Sequence, residues 1–542
     1  MNKYLFILGF VGTALFTACS TADDLASDKP NETPSVEEPK ETSLIVEASQ
    51  NSEVPITLGV GQSRGLTRAV LNPDDANGNF KTEAGKYLGV FCLATGTQAK
   101  ESNIPTIIKN FKWNTDPAED EEGLIVRMRN VPAKVTTDGT TSDVAFLDPE
   151  ALPGENFTSY YYPMGNWLKY NFYAYYPWQP EIVGGNTTLS FSESQVLETY
   201  LTIDGSKDVI WGRAHPWNPN PSLSEVPTGH DPYCAKYFRL KRAEVGEANI
   251  KNYYPKFVFE HKLVQFKFFV KAANATVLTD LMTKNMQVTD MYIANAIYSL
   301  SLIVAQKDST KNGVLKMKSV TPSTKKLRIK TNNAETDRFD QENPYGDADL
   351  DNPLAITTSY VTTLVDELQA GVALTEVEAN AYNSQLSGAL KADIPLTAAQ
   401  ATAYNTAMTP LTSKNEGETL SADEANAYNA TLTGHKSADE TLTAGEASAF
   451  NAANGYVGYI MLPDPRINND EFKYQLTLKV KYTVNAVDKT DIIAIDMVPP
   501  SGGFIAGKIY NILVNVQSPE QISAKAILQE WDDSPDVIEY GN

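Results

Sequence analysis

Short runs of apolar side chains, typical of β-strands, dominate the pattern from residue 54 onward. Val54–Val60 alternates apolar and polar positions, and Tyr87–Leu93 is the continuous apolar run of a buried strand. Further runs of this kind cover Trp167–Pro177, Phe257–Val270, Tyr474–Val480 and Tyr510–Val516. Gly, Pro, Asn and Asp separate the runs, and no helices alternate with them. The pattern predicts antiparallel β-sandwiches. The chain is too long for one, so we expect two with a boundary near residue 255.

A four-fold repeat interrupts the strand pattern between about residues 372 and 455. In each copy a Leu precedes Ser or Thr, and Glu or Gln stands three positions after that hydroxyl residue. The pairs are Thr375 and Glu378, Thr397 and Gln400, Ser421 and Glu424, and Thr443 and Glu446. This is the spacing of a helix-starting capping box. We predict four short helices that pack as an array inserted into the second sandwich. A spacer is the expected role, and a ligand-binding array is the alternative.

The first eighteen residues predict a secretory signal peptide. Lys3 supplies a positive start, the apolar stretch after it is too short to span a bilayer, and small residues precede Cys19. A cysteine at the cleavage point resembles the lipobox of bacterial lipoproteins. The resemblance implies that Cys19 becomes the lipid-modified first residue of the mature protein. The alternative is an ordinary signal peptide with a chance cysteine.

Residues 19–45 are polar, acidic and contain several prolines, which predicts a flexible tether. Asp23 and Asp24 lie close behind the cysteine. Acidic residues at this place resemble the surface-export signal of Bacteroidetes lipoproteins. We therefore expect a protein at the cell surface, joined to the outer membrane through the lipid on Cys19.

The amino-acid composition argues against some classes of binding partner. The 542 residues carry a net charge of −22, and such an acidic surface repels nucleic acid and anionic membranes. We expect no nucleic-acid partner. Besides Cys19 the chain has only Cys92 and Cys234, and the sequence leaves open whether these two pair.

The chemical motifs argue against catalysis. Ser63 lies in a Gly-x-Ser-x-Gly pattern. The nucleophile elbow of a hydrolase requires a helix directly after such a serine, and no helical pattern follows Ser63. Asp347–Asp351 resembles the start of a calcium loop. Asn352 and Thr358 stand where an EF-hand needs Gly and Glu, so that site is excluded. We predict no enzyme activity, no metal and no cofactor.

Four segments occur in a fixed order along the chain. They are Asn171–Pro177, Asp208–Gly212, Phe259–Leu263, and Gly507–Val514 followed by Ile527–Trp531. In this order, behind a lipobox, they resemble the fimbrillins of Bacteroidetes type V pili. The resemblance covers most of residues 54–531 and leaves out the helical insertion. It implies a mainly β fold of two transthyretin-like Greek-key β-sandwich domains, at residues 46–255 and 256–542, with the helical-repeat insertion in the second.

The resemblance also implies a mode of assembly. Fimbrillins are lipoprotein precursors that an arginine-specific protease cuts, releasing the first strand, and a donor strand from another subunit fills the groove. The displaced strand here would carry Val54, Ile56, Leu58 and Val60. The expected cut follows Arg68, with Arg64 as second choice. The alternative is that both are ordinary loop arginines.

The function implied is a structural or adhesive pilus subunit, located at the cell surface as an outer-membrane lipoprotein precursor and, when mature, in the fimbria. Its partners would be other pilin subunits and a host or bacterial surface ligand. Few residues follow Trp531, which favours a tip or accessory subunit over a stalk subunit. The alternative is a surface glycan-binding lipoprotein that does not polymerise.

Overall fold

The computed structural model describes a mainly β chain. The described residues are 53–61, 71–73, 80–82, 86–94, 113, 125–137, 142–152, 156–163, 170–192, 195–215, 233–306, 311–318, 324–329, 353–357, 395, 397–400, 414, 417–420, 424–425, 428, 432, 436–437, 440–500 and 503–529. Among them, no helix combines the length and apolar character needed to cross a membrane.

Strands follow one another along the described chain with few helices between them. The earlier strands are β1 Val54–Pro55, β2 Gly59–Val60, β3 Leu71–Pro73, β4 Phe80–Thr82, β5 Leu88–Ala94, β6 Val126–Thr137, β7 Ser142–Leu147, β8 Phe157–Thr158, β9 Tyr161–Tyr162, β10 Tyr170–Tyr176, β11 Ile182–Val183, β12 Asn186–Thr187, β13 Leu189–Phe191, β14 Val196–Thr202, β15 Ile210–His215 and β16 Lys256–His261. The later strands are β17 Val264–Ala272, β18 Gln287–Ile297, β19 Ser299–Gln306, β20 Leu315–Met317, β21 Thr324–Arg328, β22 Leu354–Ala355, β23 Tyr456–Leu462, β24 Gln475–Val484, β25 Val487–Asp496, β26 Ile509–Ser518 and β27 Gln521–Gln529. The helices are α1 Ala235–Val245, α2 Ala275–Thr283 and α3 Ala444–Ala453, with 3₁₀ turns at Pro149–Ala151, Ile250–Tyr253 and Pro465–Ile467.

The first sheet has the strand order β2-β16-β15-β10-β5-β6-β7-β8, and β2 also pairs with β7. The sheet therefore closes on itself around a first hydrophobic core. Strand β10 shows how both of its faces are used. Phe172 and Tyr176 point into the first core, whereas Tyr173 and Tyr175 belong to the second core outside the closed sheet. Successive strand residues face opposite sides, so one aromatic strand serves two cores.

The second core lies among three further sheets. Their strand orders are β13-β14-β19-β20, β23-β17-β26-β27 and β21-β18-β24-β25, with β22 beside β18. Strand β14 comes from the earlier half of the chain and pairs antiparallel with β19 from the later half. Trp211 also joins the halves, because its indole Nε1 donates to the carbonyl oxygen of Val304 across 2.8 Å. The two halves thus share a sheet and a core.

The apolar run Phe257–Val270 forms two strands rather than the single strand that the sequence predicts. Strand β16 pairs with β15 in the first sheet, and β17 lies between β23 and β26. Between them, Lys262 donates its backbone N–H to the carbonyl oxygen of Val209 across 2.7 Å. The chain therefore leaves the first sheet at Lys262, a few residues after the predicted boundary at 255.

Two of the predicted capping boxes are formed. The backbone N–H of Thr443 donates to Oε2 of Glu446 across 2.9 Å, and the N–H of Glu446 donates to the Thr443 hydroxyl across 3.4 Å. Thr397 and Gln400 make the same reciprocal bonds at 2.9 and 3.3 Å. The third and fourth copies share a small core of Leu420, Ala425, Tyr428, Leu442, Ala447 and Phe450. Thr375, Glu378 and Ser421 lie outside the described residues, and the four-helix array stays a prediction.

Candidate functional site

Residues 54–61, here named the seam segment, run in extended conformation along the edges of the first sheet. At its start, Val54 and Pro55 pair antiparallel with Tyr162 and Tyr161 of β9. The N–H of Ile56 then donates to the carbonyl oxygen of Tyr160 across 2.7 Å. The first part of the segment is therefore held by main-chain bonds to one neighbouring strand and the residue before it.

Further along, the seam segment bonds on both sides. The carbonyl oxygen of Leu58 accepts the N–H of Val144 in β7 across 2.9 Å. On the other side, the N–H of Gly59 donates to the carbonyl oxygen of Pro255, and that of Gly61 to Phe257, each across 2.9 Å. Strand β2 is thus antiparallel to β7 and parallel to β16. Strand β2 lies between β7 and β16 and thereby joins the two edges of the first sheet.

The side chains of the seam segment alternate as the sequence predicts. Val54, Ile56, Leu58 and Val60 are 1%, 4%, 0% and 8% exposed and all belong to the first core. The residues between the first three, Pro55 and Thr57, are only half-buried. Full burial of each large apolar side chain contributes about 1.5–3 kcal/mol. The segment is therefore a structural strand of the first core, held by apolar contacts as well as by hydrogen bonds.

Gly59 allows the two edges to approach each other. A Cβ atom at this position would lie 3.3 Å from Cγ of Lys256 and 3.3 Å from the carbonyl oxygen of Ser142. Larger side chains would push these neighbours apart. Lys256 is half-buried here, and desolvation lowers the pKa of its ammonium group, while the Asp143 carboxylate acts in the opposite direction. The close approach at Gly59 thus brings the backbones of β2, β7 and β16 together.

Aromatic rings cover the start of the seam segment. The ring of Tyr162, which pairs with Val54, lies 5.4 Å from the ring of Phe238 in α1 and 6.1 Å from that of Phe172. Burial raises the pKa of the Tyr162 phenol well above its ordinary value. Helix α1 therefore closes this end of the first core.

Cys234 begins α1, and its sulfur accepts the N–H of Tyr237 across 3.4 Å. Cys92 and Cys234 are both buried and do not form a disulfide with each other. Burial raises the pKa of the Cys92 thiol well above its ordinary value. The pairing that the sequence left open is thus not made, and these residues are part of the packing.

Two of the sequence segments described above meet at a buried polar contact. His261, from Phe259–Leu263, places its Nδ1 against Oδ2 of Asp208, from Asp208–Gly212, and both side chains are 2% exposed. The other carboxylate oxygen accepts the N–H of Val209 across 2.7 Å. This contact fixes β16 next to the loop before β15. Neither periodicity nor spacing in the sequence indicates it.

The structure places only part of the predicted site. Val54, Ile56, Leu58 and Val60 come together in the seam segment and in one core, but their release stays a prediction. Cys19, Arg64 and Arg68 lie outside the described residues, as do Ser63 and Asp347–Asp351. Sequence reasoning missed the bonding partners of the strand, which are Tyr160, Val144, Pro255 and Phe257. Among the described residues, no three His, Cys, Asp or Glu side chains gather as metal ligands would.

Comparison with known proteins gives distant structural neighbours. No family model and no curated protein matches the sequence. A provisionally named cell adhesion protein from Bacteroides uniformis is 11% identical with a TM-score of 0.34, over 88% of this chain and 98% of that one. The fimbrial anchor protein Mfa2 from Porphyromonas gingivalis is 10% identical with a TM-score of 0.19, over 52% and 68%. A fimbrial protein from Bacteroides ovatus is 14% identical with a TM-score of 0.18, over 53% and 45%. At these identities and TM-scores the neighbours carry no argument about the function of this chain.

Proposed function

We propose that this chain is a fimbrillin-like pilus subunit, structural or adhesive, made as an outer-membrane lipoprotein precursor with lipid on Cys19. An arginine-specific protease cuts it after Arg68 or Arg64, and it assembles by donor-strand exchange as a tip or accessory subunit. The observation that carries the proposal is the seam segment. It is a short extended segment with buried apolar side chains, it bonds to both edges of the first sheet, and it directly precedes the stretch that contains the two arginines.

Release of the seam segment would leave a groove suited to another strand. The N–H of Val144 and the carbonyl oxygens of Pro255 and Phe257 would lose their partners. These main-chain groups would then be available to pair with an added strand. Four apolar positions of the first core would also become exposed. A donor strand with alternating apolar side chains satisfies both needs at once, because main-chain bonds give affinity and the side-chain sockets give specificity.

The proposal includes the finer architecture that the sequence predicts. The sheets form two transthyretin-like Greek-key sandwiches, and the helical repeats near residues 372–455 form a spacer on the second. No catalysis is involved. The partners are other pilin subunits, the outer membrane through the lipid on Cys19, and a host or bacterial surface ligand. The mature form resides in the fimbria.

The test uses the purified soluble precursor, residues 20–542, and an arginine-specific protease. We expect a new N-terminus directly after Arg68 or Arg64, and heat-sensitive ladders on a denaturing gel. The matched control replaces both arginines, Arg64→Lys and Arg68→Lys, which keeps the positive charges and removes the cleavage sites. This variant should stay intact at this segment and form no ladders.

The outcomes separate the candidate functions. A cut with ladders supports a polymerising pilin, and a cut without ladders assigns a tip or accessory subunit. Absence of any cut between the seam segment and β3 would overturn strand exchange. The alternative, a surface glycan-binding lipoprotein that does not polymerise, would then be favoured.

A further inference from the structure

A cavity of about 220 Å³ opens at the end of β10, and the seam segment takes no part in lining it. One wall is the loop Pro177–Gln179, which follows β10. The other is formed by Thr202 at the end of β14 and by Asp204, Lys207 and Asp208 of the loop after it. The cavity thus lies where the first sheet meets the shared sheet of β14 and β19.

The loop after β14 is held in place by the later half of the chain. The N–H of Ile203 donates to the carbonyl oxygen of Tyr298 across 2.9 Å, and the N–H of Met461 donates to Gly205 across 2.8 Å. Gly205 has a φ of +83°, a left-handed conformation that favours glycine. Because both sides of the loop are fixed, the cavity is formed before any ligand arrives, and binding need not order it.

The Asp208 carboxylate lines the cavity, but its hydrogen bonds are made within the protein. Its two carboxylate oxygens are taken by the N–H of Val209 and the ring of His261. Its side chain is 2% exposed. The groups that can meet a ligand are therefore those of the two walls.

On the walls, an aromatic ring and a carboxylate are each fixed in position. The indole of Trp178 is half-buried, and its Nε1 donates to the carbonyl oxygen of Asn130 across 2.9 Å. The ring also packs edge-on against Tyr87, with centroids 6.5 Å apart. Oδ1 of Asp204 accepts the N–H of Ser206 at 2.8 Å and its hydroxyl at 2.7 Å. These two turn bonds hold the carboxylate at the cavity.

These groups match the chemistry of a sugar. An indole ring offers an apolar platform for the C–H face of a sugar ring. A carboxylate accepts hydroxyl protons, while the exposed Thr202 hydroxyl and Lys207 ammonium donate to ring and hydroxyl oxygens. The charges of Asp204 and Lys207 offset each other, and the net charge of −22 disfavours acidic ligands. The volume lies below the about 300–1,000 Å³ of sites for drug-sized ligands. One ring fits better than a chain.

We propose that this cavity binds a single neutral sugar residue at the end of a glycan chain. Trp178 stacks on the ring, and Asp204, Thr202 and Lys207 bind its hydroxyl groups. The site lies outside the seam segment, so it operates whether or not the subunit polymerises.

The experiment measures binding of the uncut chain, residues 20–542, to immobilised glycans that end in mannose, galactose, fucose or N-acetylglucosamine, and to their sialylated forms. We expect binding to at least one neutral terminus. Asp204→Asn keeps the Oδ1 acceptor of the turn but removes the charge, and it should weaken binding tenfold or more. Thr202→Arg fills the cavity from an exposed position and should do the same. The matched control is Asp280→Asn, an exposed carboxylate on α2.

Several outcomes of this experiment would contradict the proposal. Absence of binding to every neutral glycan, or binding only to sialylated ones, would overturn the proposal. So would Asp204→Asn and Thr202→Arg variants that bind as well as the control. Unfolding midpoints of all variants, measured by circular dichroism, separate loss of binding from loss of fold. Arginine-protease cleavage of the same preparations tests strand exchange independently.

Discussion

The backbone N–H of Val144 donates to the carbonyl oxygen of Leu58 across 2.9 Å, and this bond closes the first sheet. On the other side of the same strand, Gly59 donates to Pro255 at the same distance. Two edges that would otherwise be open are thus covered by one short segment near the start of the described chain. Open edges can pair with strands of other molecules, and the seam segment covers both of these edges.

Leu58→Ala should destabilise the uncut protein. The side chain is fully buried in the first core, and loss of a buried Leu costs about 2–5 kcal/mol through lost burial and the remaining cavity. The measurement is the free energy of unfolding from urea denaturation. Thr57→Ala, at the neighbouring half-buried position, is the control and should cost less than about 1 kcal/mol. Equal losses for both variants would mean that the segment is not part of the core.

A disulfide between the seam segment and β16 should block strand exchange. Gly59 and Lys256 are paired residues in the parallel ladder, and a Cβ at Gly59 would lie beside the Lys256 side chain. Gly59→Cys with Lys256→Cys therefore places two thiols within bridging reach. After arginine-specific cleavage, the oxidised variant should keep the segment and form no ladders, whereas the reduced variant should form them. Ladders of equal intensity in both states would show that polymerisation does not require the segment to leave.

His261→Leu should be strongly destabilising. It leaves the Asp208 carboxylate buried without its imidazole partner, and breaking a buried pair in this way costs about 3–5 kcal/mol. His261→Asn keeps a side-chain N–H donor near the place of Nδ1 and should cost clearly less. The measurement is the free energy of unfolding of the two variants from urea denaturation. If Leu and Asn cost the same, the contact with Asp208 contributes little.

Stability should rise with pH above about 8 because of Lys271. Its side chain in β17 is 7% exposed, and burial lowers the pKa of its ammonium group from 10.5 to about 8. Below about pH 8 both folded and unfolded chains hold the proton, so the folded state bears the full burial penalty. Between about 8 and 10.5 only the unfolded chain keeps the proton, and the free energy of unfolding increases with pH.

Lys271→Met tests this directly. The variant should be more stable than the wild type near neutral pH, by at most about 3 kcal/mol, and should show a smaller rise up to about pH 9.5. Some rise should remain, because burial also lowers the pKa of Lys267. The control is Lys316→Met, an exposed lysine in β20, which should leave the pH dependence unchanged. A variant with the wild-type slope would assign the effect to other groups.

The sequence predicted what depends on local order. Apolar and polar side chains alternate along the seam segment with the two-residue period of a strand. The capping boxes that begin at Thr397 and Thr443 depend only on two residues three positions apart. The bonds from the seam segment to Tyr160 and Pro255 join distant parts of the chain. No periodicity encodes such pairings, so the closure of the first sheet was not predictable.

Helices α1 and α2 were not predicted from the sequence, for two different reasons. The N-cap residue of helix α1 is Cys234, and because cysteine is not among the usual N-cap residues, the start signal was absent. Helix α2 does have one, since Asn274 accepts the N–H of Val277 across 2.9 Å, but it is short and lies between strands. The break at Lys262 was hidden because both strands around it are equally apolar. Their assignment to different sheets depends on their neighbours.

Strand β10 bears on mechanics as well as on packing. Phe172 lies in one core and Tyr173 in the other, and β14 crosses into a sheet with β19. A pulling force applied to one of the two cores would pass through these shared strands directly into the other. Within the part of the chain that the structure describes, the two cores would therefore move together as one stiff block.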